Sequence, residues 1–108
     1  MEIDQPTFIA IETIVWLQAN NEDVLIQACI GQPYEQDAAW TCPAALIGVD
    51  GRYPDIVGDS SMQALQLALR LIRQRLGHLL EAGEILAYPA DRDSRWDIDS
   101  LNAVFGLG

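Results

Sequence analysis

The chain has no lysine, a single histidine and two cysteines in 108 residues. Its six basic residues are all arginines and oppose 16 acidic residues, which gives a formal net charge of −10. A negative field of this size repels phosphate backbones and anionic lipid headgroups, so we expect neither nucleic acid nor a membrane as a partner. A basic protein is the expected partner, and the alternative is that the acidity only keeps the protein soluble.

Long hydrophobic runs are also absent. No segment approaches the roughly 20 apolar residues that a membrane span requires, and Met1 to Pro6 lack the basic flank and apolar run of a signal peptide. These features predict a cytoplasmic protein, in which Cys29 and Cys42 are small buried hydrophobic residues rather than a disulfide or metal ligands. Because 50% of the residues are hydrophobic, a single domain spanning residues 1–108 can bury a core.

No spacing in the sequence is typical of a catalytic site, and we predict no catalytic residue, metal or cofactor. His78 has neither a serine nor a cysteine at a spacing that indicates a nucleophile pair. The aspartates after residue 90 invite a calcium interpretation, but an EF-hand loop needs an oxygen ligand at its fifth position and glycine at its sixth. Arg95 and Trp96 occupy those positions, which favours a solvated acidic loop.

Period-two alternation of apolar residues predicts four strands. They are Thr7–Gln18, Val24–Ile30, Ala39–Val49 and Arg52–Val57. The first two are expected to form a hairpin. Pro43 has no N–H to donate, which indicates an edge or a bulge in the third strand, and Asp50-Gly51 favours a two-residue turn before the fourth.

The strongest local pattern begins at Ser60. Ser60 at the N-cap and Gln63 three residues later predict a capped helix start, and apolar residues then recur at helical spacing to Ala82, before Gly83. We therefore predict an α+β domain in which one long helix packs on one face of a four- or five-stranded, mainly antiparallel sheet. A short fifth strand over 84–89 and an acidic tail over 90–108, ending in a short helix or packed segment, complete the chain.

The expected partner contacts are acids outside the predicted core, together with one tryptophan. They are Glu35, Asp37, Asp50, Asp55, Asp91, Asp93, Trp96, Asp97 and Asp99. Carboxylates speed encounter with a basic protein and pair with its lysine and arginine side chains. Trp96 has two interpretations, because it either anchors the acidic tail to the domain or contributes to an interface, where tryptophan is enriched.

Glu12 interrupts the otherwise apolar first strand. A buried Glu12 requires a partner, for which Arg70 and Arg73 are the candidates. An open pocket lined by Glu12 would instead favour a small ligand-binding domain or an enzyme.

Three motifs resemble those of a family of small uncharacterised bacterial proteins. They are Ile30-Gly31-Gln32-Pro33, Asp37-Ala38-Ala39-Trp40-Thr41-Cys42 and Gly58-Asp59-Ser60-Ser61-Met62-Gln63-Ala64-Leu65-Gln66-Leu67-Ala68-Leu69. Members of that family carry a Gly-x-Pro loop, a Trp-x-Cys strand and a Gly-x-Asp-Ser-x-Gln-Ala-Leu helix start. The resemblance spans roughly Ile9 to Leu80 and implies a fold, but no activity.

More distantly, Tyr53-Pro54-Asp55-Ile56 followed by Gly58-Asp59-Ser60 is similar to the strand-to-helix junction of HicB-type antitoxins, whose domain binds a small basic toxin. No DNA-binding segment follows here, so the resemblance implies toxin binding without operator binding. Together with the acidity, it predicts a non-enzymatic immunity protein or antitoxin that masks a basic bacterial toxin. The alternatives are a ligand-binding domain or enzyme, and a structural homo-oligomer, such as a homodimer, formed through an unpaired sheet edge.

Overall fold

A computed structural model describes residues 6–106 and confirms the predicted α+β class. Nine strands and two helices occur in this range, and every strand pairing is antiparallel. In chain order they are β1 (Phe8–Leu17), β2 (Val24–Gly31), β3 (Tyr34–Gln36), β4 (Ala39–Cys42), β5 (Ala44–Ile47), β6 (Gly51–Arg52), β7 (Ile56–Gly58), α1 (Ser61–Glu81), β8 (Ile85–Tyr88), β9 (Asp91–Arg95) and α2 (Ile98–Phe105).

The strands of residues 6–106 form two sheets, where a single sheet was expected. The larger sheet has the order β6-β5-β2-β1-β8-β9, and the smaller one has the order β3-β4-β7. Pro33 follows β2 and Pro43 separates β4 from β5. Because proline donates no ladder hydrogen bond, the pairing of β2 with β5 is interrupted at these two prolines. The same two chain segments pair again as β3 and β4 in the smaller sheet. At the junction the Gly31 N–H donates to the Pro43 carbonyl at 2.8 Å.

The predicted β1–β2 hairpin is confirmed, with Ile14 opposite Ile26 and Glu12 opposite Ala28. The prediction of a two-residue turn at Asp50-Gly51 is wrong, because Gly51 already pairs with Leu46 in the sheet and residues 48–50 connect β5 to β6. The predicted fourth strand is likewise divided between β6 and β7, which belong to different sheets.

Helix α1 packs on one face of the larger sheet, as predicted. Its buried side includes Ala64, Ala68, Ile72 and Leu76, all with no exposed surface. The helix start is also confirmed, since the Ser60 side chain accepts from the Gln63 N–H at 3.1 Å. Small alanines at the first turns let α1 approach β4 and β7 closely, while larger residues fill the core further along.

The acidic tail contributes β9 and α2, the first of the two alternatives considered for its end. Asp97 caps α2 by accepting from the Ser100 N–H at 2.8 Å. Arg73 Nε donates to the Asn102 Oδ1 at 2.7 Å, which joins α1 to α2. Leu101 is fully buried in the common core. The described part of the tail is therefore an integral layer of the domain.

Both cysteines lie buried as free thiols, as expected. Within residues 6–106, neither helix is long and apolar enough to cross a membrane.

Candidate functional site

The predicted partner contacts do not converge on one site. Asp50 lies next to β6 and Asp91 and Asp93 lie in β9, at opposite edges of the six-stranded sheet. With strands about 4.8 Å apart, those edges are separated by roughly 24 Å. Glu35 in β3 and Asp37 in the β3–β4 turn belong to the other sheet. The acids therefore contribute to a distributed negative field rather than to a compact acidic patch.

Asp55 is buried, so it cannot be a direct contact for a partner. Its carboxylate accepts from the Tyr34 hydroxyl at 2.5 Å and from Arg52 Nη2 at 2.7 Å, and its side chain has no exposed surface. Burial and this hydrogen bond raise the pKa of Tyr34. Asp55 thus joins the small sheet to the segment that precedes β7, which is a structural role.

Three further acids are engaged in local structure. Asp50 accepts from Arg75 at 2.8 and 3.1 Å, and this hydrogen bond lowers the pKa of the Asp50 carboxyl. Asp91 accepts from the Ser94 hydroxyl at 3.0 Å, and Asp97 caps α2. The predicted contact acids that remain, which are exposed and form no ion pair among residues 6–106, are Glu35, Asp37, Asp93 and Asp99.

Trp96 anchors the acidic tail to the domain, which is the first of its two interpretations. Its side chain is 3% exposed and stacks on Tyr88 with ring centroids 4.7 Å apart. Phe105 of α2 lies on it at a centroid distance of 6.1 Å. The ring therefore holds β9 and α2 to the core and is not on the surface.

The described residues hold no arrangement suited to nucleophilic catalysis or metal binding. His78 Nδ1 lies 3.0 Å from Arg75 Nη1, a cationic neighbour that does not activate a base. Burial raises the pKa of Cys29, and burial with the nearby Asp55 charge raises the pKa of Cys42 to about 11. Residues 6–106 contain no group of three or more potential metal ligands.

A cavity of about 220 Å³ lies between the larger sheet and the two helices. Its lining comprises Ala10, Ile11, Glu12, Ala28, Ile30, Leu69, Val104 and Phe105. Among the described residues of this lining, Glu12 is the only charged one, and it is half-buried. Within the described chain the Glu12 carboxylate makes no hydrogen bond, and the ion pairs there join other residues. Of its two predicted partners, Arg73 instead donates to Asn102.

An open sheet edge runs beside this cavity. β1 pairs with β2 along its length, but the described part of the chain shows pairing with β8 only over Val15–Leu17. Continued pairing would place Thr13 opposite Pro89, which has no N–H. Among residues 6–106, no strand therefore pairs with the segment Phe8–Thr13 on that side. Pro89 was the available sequence signal for this edge. Glu12, which interrupts an apolar strand, was the signal for the cavity, but the wall formed by Val104 and Phe105 depends on the packing of α2.

The fold and these features define a small α+β domain with an apolar, carboxylate-bearing cavity under an open strand edge. A model of DUF6968, described as a domain of unknown function, matches residues 14–90, and the chain belongs to this family. This agrees with the expected membership of an uncharacterised family and extends through β8. No curated protein and no solved structure shows significant similarity to the chain.

Proposed function

We propose that this protein is a non-enzymatic binding protein that neutralises a basic bacterial toxin in the cytoplasm, as an immunity protein or antitoxin does. The observation that carries the proposal is the uncompensated surface charge. Ion pairs within residues 6–106 engage Asp23, Asp50 and Asp55, while the net charge is −10. Such a field steers a basic protein toward the surface and accelerates association.

The tip of the β3–β4 hairpin is an exposed acidic element and the surface that we propose for the partner. Asp37 and Ala38 both have positive φ, 52° and 64°, which is the geometry of a tight two-residue hairpin turn. Glu35 and Asp37 are exposed there. The resemblance of the strand-to-helix junction to HicB-type antitoxins supports a toxin as the partner.

The environment of the reactive groups supports a non-enzymatic role. A thiol is nucleophilic as the thiolate, and burial disfavours that form in Cys29 and Cys42. His78 is held beside a guanidinium rather than beside a serine or cysteine. These environments support a proposal of binding without turnover.

Co-expression tests the proposal directly. Each protein encoded beside this gene is expressed in bacteria with and without the acidic protein, and growth and co-purification at low salt are measured. We expect one basic, growth-inhibiting neighbour to be neutralised and retained. Failure of every neighbour to inhibit growth or to bind would contradict the proposal.

Charge reversal locates the contact. The variant Glu35→Lys/Asp37→Lys is compared with Glu22→Lys/Glu81→Lys, which makes the same change in net charge at exposed sites outside the proposed surface. We expect the first variant to slow association with the retained partner more strongly, and to flatten its salt dependence. Equal slowing by both variants would mean that only the overall charge is recognised.

The cavity favours a second candidate function, the binding of a small molecule. Its size of about 220 Å³ is below the roughly 300–1,000 Å³ of most ligand sites, so only a small ligand fits. A short aliphatic amine matches apolar walls with one carboxylate. Calorimetric titration with n-butylamine tests this candidate, and binding that is lost in Glu12→Gln would support it.

A further inference from the structure

The backbone groups that face the open edge belong to Ile11 and Thr13. The Trp96 N–H donates to the Leu86 carbonyl at 2.9 Å, so Leu86 faces β9 and its two neighbours in β8 face β1. Val15 therefore directs its backbone groups toward β8 and away from β2. Because this direction alternates every residue along a strand, the backbone N–H and C=O groups of Ile11 and Thr13 point the same way as those of Val15. At Ile11 and Thr13, however, β8 no longer provides a partner.

Edge strands are usually protected by charge, proline or a cover, and among the described residues the Phe8–Thr13 edge has only the half-buried Glu12 for this purpose. Ile9 and Ile11 are 56% and 55% exposed, and no basic residue occurs between Phe8 and Thr13. The outer strand β9, by contrast, consists mostly of charged and exposed residues. An apolar edge with free donors and acceptors is a template for strand addition.

The cavity lies on the helix-facing side of the same segment. A strand added to β1 would direct every second side chain toward α1 and α2, and its side chains would lie about 5 Å from those of Ala10 and Glu12. A lysine or arginine there would bury its aliphatic stem against the apolar walls, with its charged end at Glu12. The carboxylate thereby gains the partner that residues 6–106 do not supply.

We propose that the partner adds an extended strand to the Phe8–Thr13 edge of β1 and inserts one lysine or arginine side chain into the cavity against Glu12. This inference rests on the proposed function, since it assigns the contact of the basic partner. Charge complementarity selects this occupant over a second copy of the chain. Two copies paired at this edge would bring together molecules of charge −10, and the Phe8–Thr13 segment of the second copy has neither a lysine nor an arginine to place beside Glu12.

The first test uses the full chain and a peptide, without a toxin. The probe is an N-acetylated, C-amidated pentapeptide with a central lysine flanked by valine and threonine on each side, and the control peptide has glutamine at the centre. Titration is followed by amide chemical shifts. We expect saturable shifts at Ile11, Thr13 and Ala28, and about tenfold or more weaker binding of the control peptide. Unsaturable shifts spread over the acidic surface would overturn the inference.

Two isosteric variants test whether the Glu12 carboxylate is the charge that binds the lysine side chain. Glu12→Gln should weaken binding of the lysine peptide about tenfold or more, whereas Glu81→Gln, at an exposed site on α1, should leave it unchanged. Thermal unfolding confirms that both variants fold. Equal affinity of Glu12→Gln and wild type would overturn the inference. So would n-butylamine binding as tightly as the peptide, which would make the cavity a small-molecule site, or edge-mediated dimers in sedimentation at neutral pH.

The same variants separate this inference from the proposed function. If a toxic neighbour is retained equally by wild type and Glu12→Gln, then the neutralising function stands and the docking site is wrong. If the lysine peptide binds at the edge but no neighbour is retained, then the site stands and the toxin assignment fails.

Discussion

Gly58 lies directly against the first turn of α1, where a Cβ atom on Gly58 would be only 2.6 Å from the backbone nitrogen of Ala64. The contact is with helix backbone, which cannot rotate away as a side chain can. Glycine is therefore required at the end of β7, because it allows the helix to begin against the small sheet.

We expect Gly58→Ala to lower the free energy of unfolding by about 1–3 kcal/mol, the usual range for overpacking. Gly77→Ala is the matched control, since a Cβ on Gly77 meets nothing within 4 Å. That variant should raise stability by about 0.5–1 kcal/mol, because alanine is the better helix former. Urea unfolding measures both, and a neutral Gly58→Ala would show that α1 can shift without cost.

Ser60→Ala should destabilise the protein by about 0.5–2 kcal/mol, because the Gln63 N–H loses its acceptor. Binding of the partner at saturating concentration should be unchanged. Denaturant unfolding and co-purification are the two measurements. A folded Ser60→Ala that no longer bound would place the helix start within the recognition surface.

The Asp50–Arg75 pair should make stability depend on acidic pH. Arg75 lowers the pKa of Asp50 in the folded protein, so the stabilisation is complete above the unfolded carboxyl pKa, about 3.9, and is lost as pH falls through the folded pKa. The stability difference between wild type and Asp50→Asn should thus shrink with acidification. Because the pair is partly exposed, we expect a difference below about 1 kcal/mol at neutral pH. A difference that does not vary from pH 6 to pH 2 would contradict this assignment.

Trp96→Ala should cost about 3–5 kcal/mol, as expected for removing a fully packed tryptophan, and should release β9 and α2. Trp96→Phe keeps an aromatic ring for Tyr88 and breaks no hydrogen bond within the described chain, since Nε1 has no partner there. It should therefore cost much less. Hydrogen exchange of α2 amides distinguishes local release from global unfolding, and equal losses in both variants would argue against anchoring by ring packing.

Local chemistry determined which features could be predicted from the sequence. The start of α1 depends on Ser60 and Gln63, which lie within one turn, and the α+β class follows from periodicity. The division into two sheets was missed because Pro43 indicates an interrupted ladder, but not where the strand continues. The prediction for Asp55 failed as a surface contact because Tyr34, its hydroxyl donor, is 21 residues away in sequence. Glu12 was recognised as unusual, yet the cavity beside it requires Phe105 of α2, which only tertiary packing brings there.

The strand edge that Pro89 leaves open should also affect whether molecules of the purified protein associate with one another. At neutral pH the charge of −10 keeps molecules apart, although each exposes Ile9 and Ile11 on a strand segment that no described strand pairs on the β8 side. That repulsion vanishes as the pH approaches the isoelectric point near 4.1, and concentrated salt screens it. We therefore expect acidic or high-salt buffers to favour edge-to-edge aggregation, and the chain to remain dispersed in neutral buffers of low ionic strength.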